Sequence, residues 1–356
     1  MTQRPPVSDH GGGVHSLAVP IPDNPLGHTL VYVVDTDRGP VLIDTGWDDP
    51  ASWTVLSDGL TRLGTAVTEI HGVVLTHHHP DHHGLSGKVR EASGAWLAMH
   101  PADTAVVRRT REAAPGAWLD YLTDKLAAVG APPEHTAPLR AARARGAART
   151  LPGLRAALPD RDIVPGDLLP LPGRRLRAVW TPGHTPGHVC LHLEERHPAD
   201  RPGHGRLFSG DHLLPGITPH IGLYEDPDDA TATDPLGDYL SSLERVARLG
   251  AAEVLPAHQH AFTDAAGRVR ELLAHHESRL HDLLALLSAT PLTPWQLAVR
   301  MEWNRPWPEI PPGSRNIAVS EAEAHVRRLV KEGLAEPAPG THPLAYRAVP
   351  AAPGPA

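Results

Sequence analysis

The apolar positions of the first hundred residues fall in short runs separated by turn-forming residues. Leu17 to Ile21 reads as an edge strand. Leu30-Val31-Tyr32-Val33-Val34 reads as a second strand, whose partner Pro40-Val41-Leu42-Ile43 returns through the turn Asp37-Arg38-Gly39. Residues 52 to 64 read as a helix that ends at Gly64. Val73, Val74 and Leu75, bounded by Gly72, form a buried strand, because β-branched and bulky side chains suit a pleated surface. A helix over Leu85 to Ala92 and a short strand over Ala95 to Met99 follow. This alternation predicts an α/β layered domain. Residues 1 to 16 are polar and rich in Pro, Gly and Ser, and read as a frayed, disordered lead-in.

Residues 101 to 160 break the alternation. Ala, Leu and Arg dominate, Pro115, Pro132, Pro133 and Pro138 interrupt, and helices are expected over Ala117 to Val129 and Pro133 to Arg145. The pattern predicts a helical insert lying over the functional site. Strands resume at Leu176 to Trp180, Val189 to Leu193, Arg206 to Ser209 and Glu253 to Leu255, with an amphipathic helix over Pro235 to Leu249. One domain is thus expected over residues 17–264, with its insert at about 101–160.

The end of the chain has a different rhythm. Val269, Leu272, Leu273, His276, Leu280, Leu283, Leu284 and Leu287 repeat at helical spacing and predict a helix from Ala265 to Ser288. Thr293-Pro294-Trp295-Gln296 is a capping box with Pro at the first helical position. Ser320-Glu321-Ala322-Glu323 reads as a second capping box, opening a helix that ends at Gly333. Two short strands around Pro339-Gly340 complete three helices and a hairpin, the pattern of a small winged-helix-like domain over 265–350 with a tail at 351–356.

Composition narrows the classes. Hydrophobic residues make up 40% of 356, enough for a sizeable core, while 39 Pro and 32 Gly imply many loops. The formal net charge of −8 argues against general nucleic-acid binding. Residues 275–350 hold eight Lys/Arg against eight Asp/Glu, so the last domain has no basic excess either. The single Cys190 excludes an intrachain disulfide and a thiolate-rich metal site, and reads as a small buried hydrophobe. No basic start followed by an apolar core opens the chain, and no run is long enough to span a bilayer. A cytoplasmic location without membrane partners is expected; oligomeric state is not readable.

The chemistry centres on His77-His78-His79-Pro80-Asp81-His82, where an apolar strand ends in four metal-ligand types at positions 77, 79, 81 and 82. Extended backbone sends alternate side chains the same way, so His77 and His79 can share one point, and Pro80 keeps His79 extended. Imidazoles suit zinc, and the Asp81-His82 pair makes a second, more oxygen-rich position. A histidine-rich surface loop is the plain alternative, but this run lies between a strand and a helix. Three further strand ends, Thr181-Pro182-Gly183-His184, Ser209-Gly210-Asp211 and Pro256-Ala257-His258, each deliver a His or Asp to an irregular loop. Residues brought to loops by a rigid sheet commonly share one site. Asp44, at another strand end before Gly46, is a turn former on its own.

In this order the motifs resemble those of the metallo-β-lactamase-fold hydrolases, over roughly residues 17–262, with Pro-Ala-His standing for the family's usual Pro-Gly-His. The resemblance implies a four-layer αββα sandwich. It implies that His77, His79 and His184 bind one metal, that Asp81, His82 and His258 bind a second, and that Asp211 bridges them. Asp81 would also serve as a proton acceptor, and Asp44 would lie under the site and hold it. Two Zn2+ are the expected cofactors, although His and Asp also suit iron and manganese. A metal-bridging hydroxide attacking an acyl or phosphoryl centre is the expected chemistry.

Other residues are weighed against this frame. His78, His83, His188 and His260 neighbour ligands; His78, His83 and His260 read as outer-shell or surface residues. The apolar, Gly/Pro-rich segment Leu213 to Tyr224 reads as a pocket wall, with His212, His220 and Tyr224 as candidates to touch substrate and packing as the alternative. Arg140, Arg143, Arg145, Arg149, Arg155 and Arg161 read as a solvated face, or as a dock for the phosphate of a phosphopantetheine arm. The pattern at the C-terminus resembles the lactamase-beta-2-like branch, and the leading expectation is a glyoxalase II-like thioesterase or esterase. Its substrate would be a small molecule, including coenzyme A or carrier-protein thioesters. A phosphodiesterase or ribonuclease is the alternative. An iron oxygenase of the persulfide-dioxygenase type is disfavoured because Asp81, His82 and His258 are all retained. A secreted β-lactamase fits poorly with the absent export pattern.

Overall fold

The strands face two ways, and their alternation builds two separate cores. The computed structural model describes residues 7–146, 156–196, 198–223 and 233–350; Tyr224, Arg149, Arg155 and the tail 351–356 lie outside the described residues. A seven-stranded sheet runs in chain order through β1 (Val7–Asp9), β2 (Val14–Pro20), β3 (His28–Thr36), β4 (Gly39–Ile43), β5 (Gly72–Val74), β6 (Trp96–Met99) and β7 (Arg161–Asp162). It is antiparallel from β1 to β4 and parallel from β4 to β7. A four-stranded sheet has the order β11 (Glu253–Pro256), β10 (Arg206–Gly210), β9 (Val189–Leu193), β8 (Leu176–Trp180), with only the β10–β11 pair parallel.

On β3, Tyr32 and Val34 join Ile43 and Val74 in a core shared with Leu176, Leu191, Phe208 and Leu255 of the second sheet. The intervening Val31 and Val33 point the other way. They join Leu42, Val73 and Leu97 against Leu56, Leu60 and Val89 of α1 (Pro50–Arg62) and α3 (Ser86–Ser93). Between those helices lies the short α2 (Pro80–His83), and α4 (Pro101–Glu112) follows β6. Each fully buried aliphatic side chain contributes about 1.5–3 kcal/mol, so this double-sided burial dominates the first sheet's stability. The result is the expected α/β sandwich of two facing sheets with outer helices. The strands β1 and β2 correct the expected disordered lead-in: residues 7–9 and 14–16 already pair, Val7 with Leu17 and Ser8 with Ser16. The sheets are also joined directly, since the Tyr32 hydroxyl donates to Pro256 O (2.7 Å) and Leu30 N to Ala257 O (2.7 Å).

The chain forms two compact units, each gathered from separated segments. The first comprises Met1–Glu112, Leu151–Pro219 and Ser241–Arg270; the second comprises Ala113–Thr150, His220–Leu240 and Glu271–Ala356. The remaining helices are α5 (Ala117–Ala128), α6 (Pro133–Ala144), α7 (Pro235–Ala247), α8 (Ala265–Ala289), α9 (Pro294–Arg300) and α10 (Arg315–Lys331), before the hairpin β12 (Ala335–Pro337) and β13 (Tyr346–Ala348). Within the second unit Leu126 and Val129, at the end of α5, pack with Leu283, Leu287, Leu297, Val326 and Leu329. The helical insert is therefore divided: α4 belongs with the sheets, whereas α5 and α6 belong with the C-terminal helices, which cover their apolar positions.

The Thr293 capping box forms, with Thr293 Oγ1 accepting from Gln296 N (3.2 Å) and Gln296 Oε1 from Thr293 N (3.0 Å). Ser320 is not a cap, because α10 begins five residues earlier and the Ser320 hydroxyl accepts from Leu223 N (2.9 Å). Behind it lies a buried histidine pair. His325 Nδ1 donates to Glu321 O (2.8 Å), which leaves its Nε2 to accept from His276 Nδ1 (3.1 Å).

Two expected outcomes come from this packing. Tyr32→Phe leaves Pro256 O buried without its donor and should lower unfolding stability by about 1–3 kcal/mol in urea titrations, without altering the sheets' circular dichroism. Burial holds His276 down at about 3 and His325 at about 4, so both stay neutral in the fold while the unfolded chain protonates near 6.5. Stability of the second unit is therefore complete above about pH 6.5 and should fall as pH drops from there toward 4, as read by Trp295 and Trp303 fluorescence.

Candidate metal centre

Every residue of this site leaves a strand end of the first unit. His77 and His79 follow β5, and Pro80 opens α2 so that His79 stays extended (φ −63°, ψ 150°) while Asp81 and His82 enter a helical turn. Gly84 closes that turn where a Cβ would collide with Pro80 O and lie 2.6 Å from Asp48 N. His184 follows β8, Asp211 follows β10 just after a register irregularity between Phe208 and Gly210, and His258 follows β11. A bulge of this kind re-aims the next side chain.

These residues converge as three overlapping groups: His77, His79 and His184; His77, His82 and Asp211; and Asp81, His82 and His258. Within each, the donor atoms lie within 4.8 Å of one another. His184 Nε2 is 2.9 Å from His79 Nδ1. Asp211 divides its carboxylate: Oδ1 faces His82 Nε2 (3.4 Å) and His258 Nε2 (3.2 Å), while Oδ2 faces His184 Nε2 (3.4 Å). Asp81 Oδ2 is 3.4 Å from both His82 Nε2 and His258 Nε2. All seven residues singled out in the sequence thus meet in one place.

The opposite edges of these rings are held by protein. His82 Nδ1 donates to Asp44 Oδ2 (2.8 Å), and His258 Nδ1 to His28 O (2.9 Å). Asp44, in a left-handed backbone (φ 61°) that Asp tolerates better than most residues, also accepts from Thr76 N (2.8 Å) and Thr76 Oγ1 (2.9 Å). The Thr29 hydroxyl reaches Asp81 Oδ2 at 3.4 Å. Buried His188 accepts from Asp211 N (3.2 Å) and shares a hydrogen bond with Thr181 Oγ1 (2.8 Å).

What remains uncommitted is informative. His77 Nε2, His82 Nε2, His258 Nε2 and Asp211 Oδ1 are buried without a hydrogen-bond partner. Buried polar atoms left in this way on His and Asp side chains are what a cation-binding site presents. Burial, then the neighbouring imidazoles, push His77 and His79 well below 6.5, so both rings are neutral at pH 7. For His258, burial works downward but Asp211 and Asp81 outweigh it and raise the ring to about 10. The two carboxylates demand positive charge here, which a proton or a divalent ion supplies. The residues present therefore fit a divalent-metal site.

The other residues singled out in the sequence lie as follows. His212 is fully buried beside His188 (ring centroids 6.0 Å apart). Its backbone N donates to Ser209 O at 3.0 Å. His220 belongs to the second unit and faces Glu321 (3.4 Å). His78 is half-buried, His83 Nε2 donates to Ala157 O (2.8 Å), and His260 is exposed. Arg143 pairs with Asp120 (3.0 Å), and Arg161 stacks over Trp96 (4.5 Å to the ring centroid). Asp103 is the residue that sequence reasoning missed. It is fully buried and accepts from His78 N (2.9 Å), Thr185 Oγ1 (2.8 Å) and Gly187 N (2.7 Å). Burial works to raise its carboxyl, but His78, Thr185 and Gly187 outweigh it and hold the group below the usual carboxylate range.

Asp44→Ala should remove the acceptor shared by His82 and Thr76 and lower the stability of metal-free protein by about 3 kcal/mol, measured by denaturant unfolding.

Comparisons with known proteins agree with this geometry. The chain is 32% identical to the metallo-beta-lactamase family protein TTHA1429 of Thermus thermophilus, over 95% of this chain and 99% of that one, with a TM-score of 0.75. It is 25% identical to a beta-lactamase domain protein from Burkholderia ambifaria, over 96% and 94% of the two chains, with a TM-score of 0.81. Among curated proteins it is 24% identical to the probable metallo-hydrolase YqjP of Bacillus subtilis, over 90% of this chain and 92% of that one. It is 26% identical to the lactamase-like protein aptB of Emericella nidulans, where the match covers 74% of this chain but only 61% of that protein's length. No helix among the described residues is long and apolar enough to cross a membrane. A family model of the metallo-beta-lactamase superfamily matches residues 24–258, the span from β3 to His258 that builds the metal centre, and the chain belongs to that superfamily.

Proposed function

We propose that this metallo-hydrolase is a dinuclear zinc enzyme acting on acyl substrates, thioesters or esters. The observation that carries the reading is Asp211, whose two oxygens turn to different clusters. His77, His79 and His184 would hold the first ion and Asp81, His82 and His258 the second, with the Asp211 carboxylate facing both groups. When bound, the ions supply Lewis-acid polarisation and a water acidified toward neutral pH. The chain's own part is to hold neutral imidazoles and ionised carboxylates in place. Asp81 and His79 are less buried than the other five, and this supports reading Asp81 as the acceptor of a proton from a group entering the site. The net charge of −8 supports a small-molecule partner over nucleic acid. Coenzyme A and carrier-protein thioesters are the substrates of first choice.

The test is thioester hydrolysis by zinc-loaded protein over acyl-coenzyme A and acyl-pantetheine compounds, with a thiol-detecting readout and metal analysis. Expected are two zinc ions per chain and turnover that falls at least ~100-fold in Asp81→Ala. Two ions without thioester turnover would instead favour phosphodiester substrates.

A further inference from the structure

The first metal cluster is assembled from two loops that belong to different sheets. His77 and His79 follow β5 of the seven-stranded sheet, and His184 follows β8 of the four-stranded one. The carboxylate of Asp103 lies between the loops, from the first turn of α4. Its Oδ2 accepts from His78 N (2.9 Å), His78 Nδ1 (3.0 Å) and Thr185 Oγ1 (2.8 Å), while Oδ1 accepts from Gly187 N (2.7 Å). His78 is the residue between the two ligands of one loop, and Thr185 adjoins the ligand of the other. The approach is close enough to require glycine at 187, where a Cβ would lie 2.7 Å from Asp103 Oδ1 and 2.6 Å from Asp103 N.

We propose that Asp103 is the positioning residue of the first metal cluster, setting the spacing between the His77–His79 loop and His184 without touching the ion. This rests on the reading of His77, His79 and His184 as ligands. Asp44 acts through His82 on the second cluster and reaches His77 of the first only through Thr76; it does not touch the His184 loop. Of the two buried carboxylates, Asp103 is the one that bonds both loops of the first cluster. An amide cannot replace Asp103. Backbone N–H groups of His78 and Gly187 approach opposite oxygens, so either orientation of Asn sets its NH2 against a donor that cannot accept.

The experiment is a chelator-competition titration with zinc, and a cobalt titration followed by absorbance, on wild type, Asp103→Asn, Thr185→Val and His184→Ala. Asp103→Asn should weaken one ion about 10–100-fold, the range seen for groups that orient ligands, and leave the other within about twofold. The weakened ion should be the one that His184→Ala loses, and its cobalt bands should shift. Thr185→Val removes one donor and should weaken the same ion by a smaller factor, which keeps the test open if Asp103→Asn does not fold. If wild type binds two ions and both weaken together, or neither does, Asp103 is only structural and the inference falls. A wild type that binds no divalent ion would overturn the ligand reading, and this inference with it.

Discussion

A buried imidazole presents a defined lone pair only when its other nitrogen is held, and the metal centre depends on that constraint. His82 is held by Asp44, His258 by the carbonyl of His28, and Asp211 through its backbone by His188. The holders come from β3, from the end of β4 and from the loop after β8. The site is thus a property of two sheets in register, and the tie between Tyr32 and Pro256 belongs to it as much as the ligands do. Loops of this length could not impose such order alone; strands buried on both faces give them fixed ends.

Much of this was legible because metal ligands are rare residue types at the ends of apolar runs. The run Val73 to Leu75 followed by His77, His79, Asp81 and His82 has few other physical meanings, and three more strand ends repeated the pattern. Asp103 was hidden because an acid in the first turn of a helix, two residues after Pro101, is what the helix dipole alone would favour. Its partners lie 25 and 82 residues away and cannot be read locally. Ser320 misled for the converse reason. Its neighbours form a good capping box, yet Leu223 claims the hydroxyl and the helix starts at Arg315. The division of the insert was equally invisible, since nothing in α5 shows that the partners of Leu126 and Val129 lie in the last quarter of the chain.

Histidine serves two opposite purposes in the two units. In the first, carboxylates next to His82 and His258 make the rings seek a positive charge. In the second, His276 and His325 are buried as a neutral pair, each ring fixed as a donor on one side. The same residue type is a cation receptor where Asp is adjacent and an apolar-core component where the nearest acceptor is a ring or a carbonyl. Counting histidines would miss that difference; their neighbours decide it.

The interleaving of the units has a consequence for synthesis. Leu126 and Val129 reach their packing partner Leu329 only after about 200 further residues have been made. At roughly 5–20 residues per second that is a delay of about 10–40 s. The earliest of their buried C-terminal partners, Leu283, is itself made about 150 residues after Val129, so the apolar positions of α5 wait for it while the second sheet, residues 176–256, is still being made. The core of the second unit therefore closes late, only when the last third of the chain has been made.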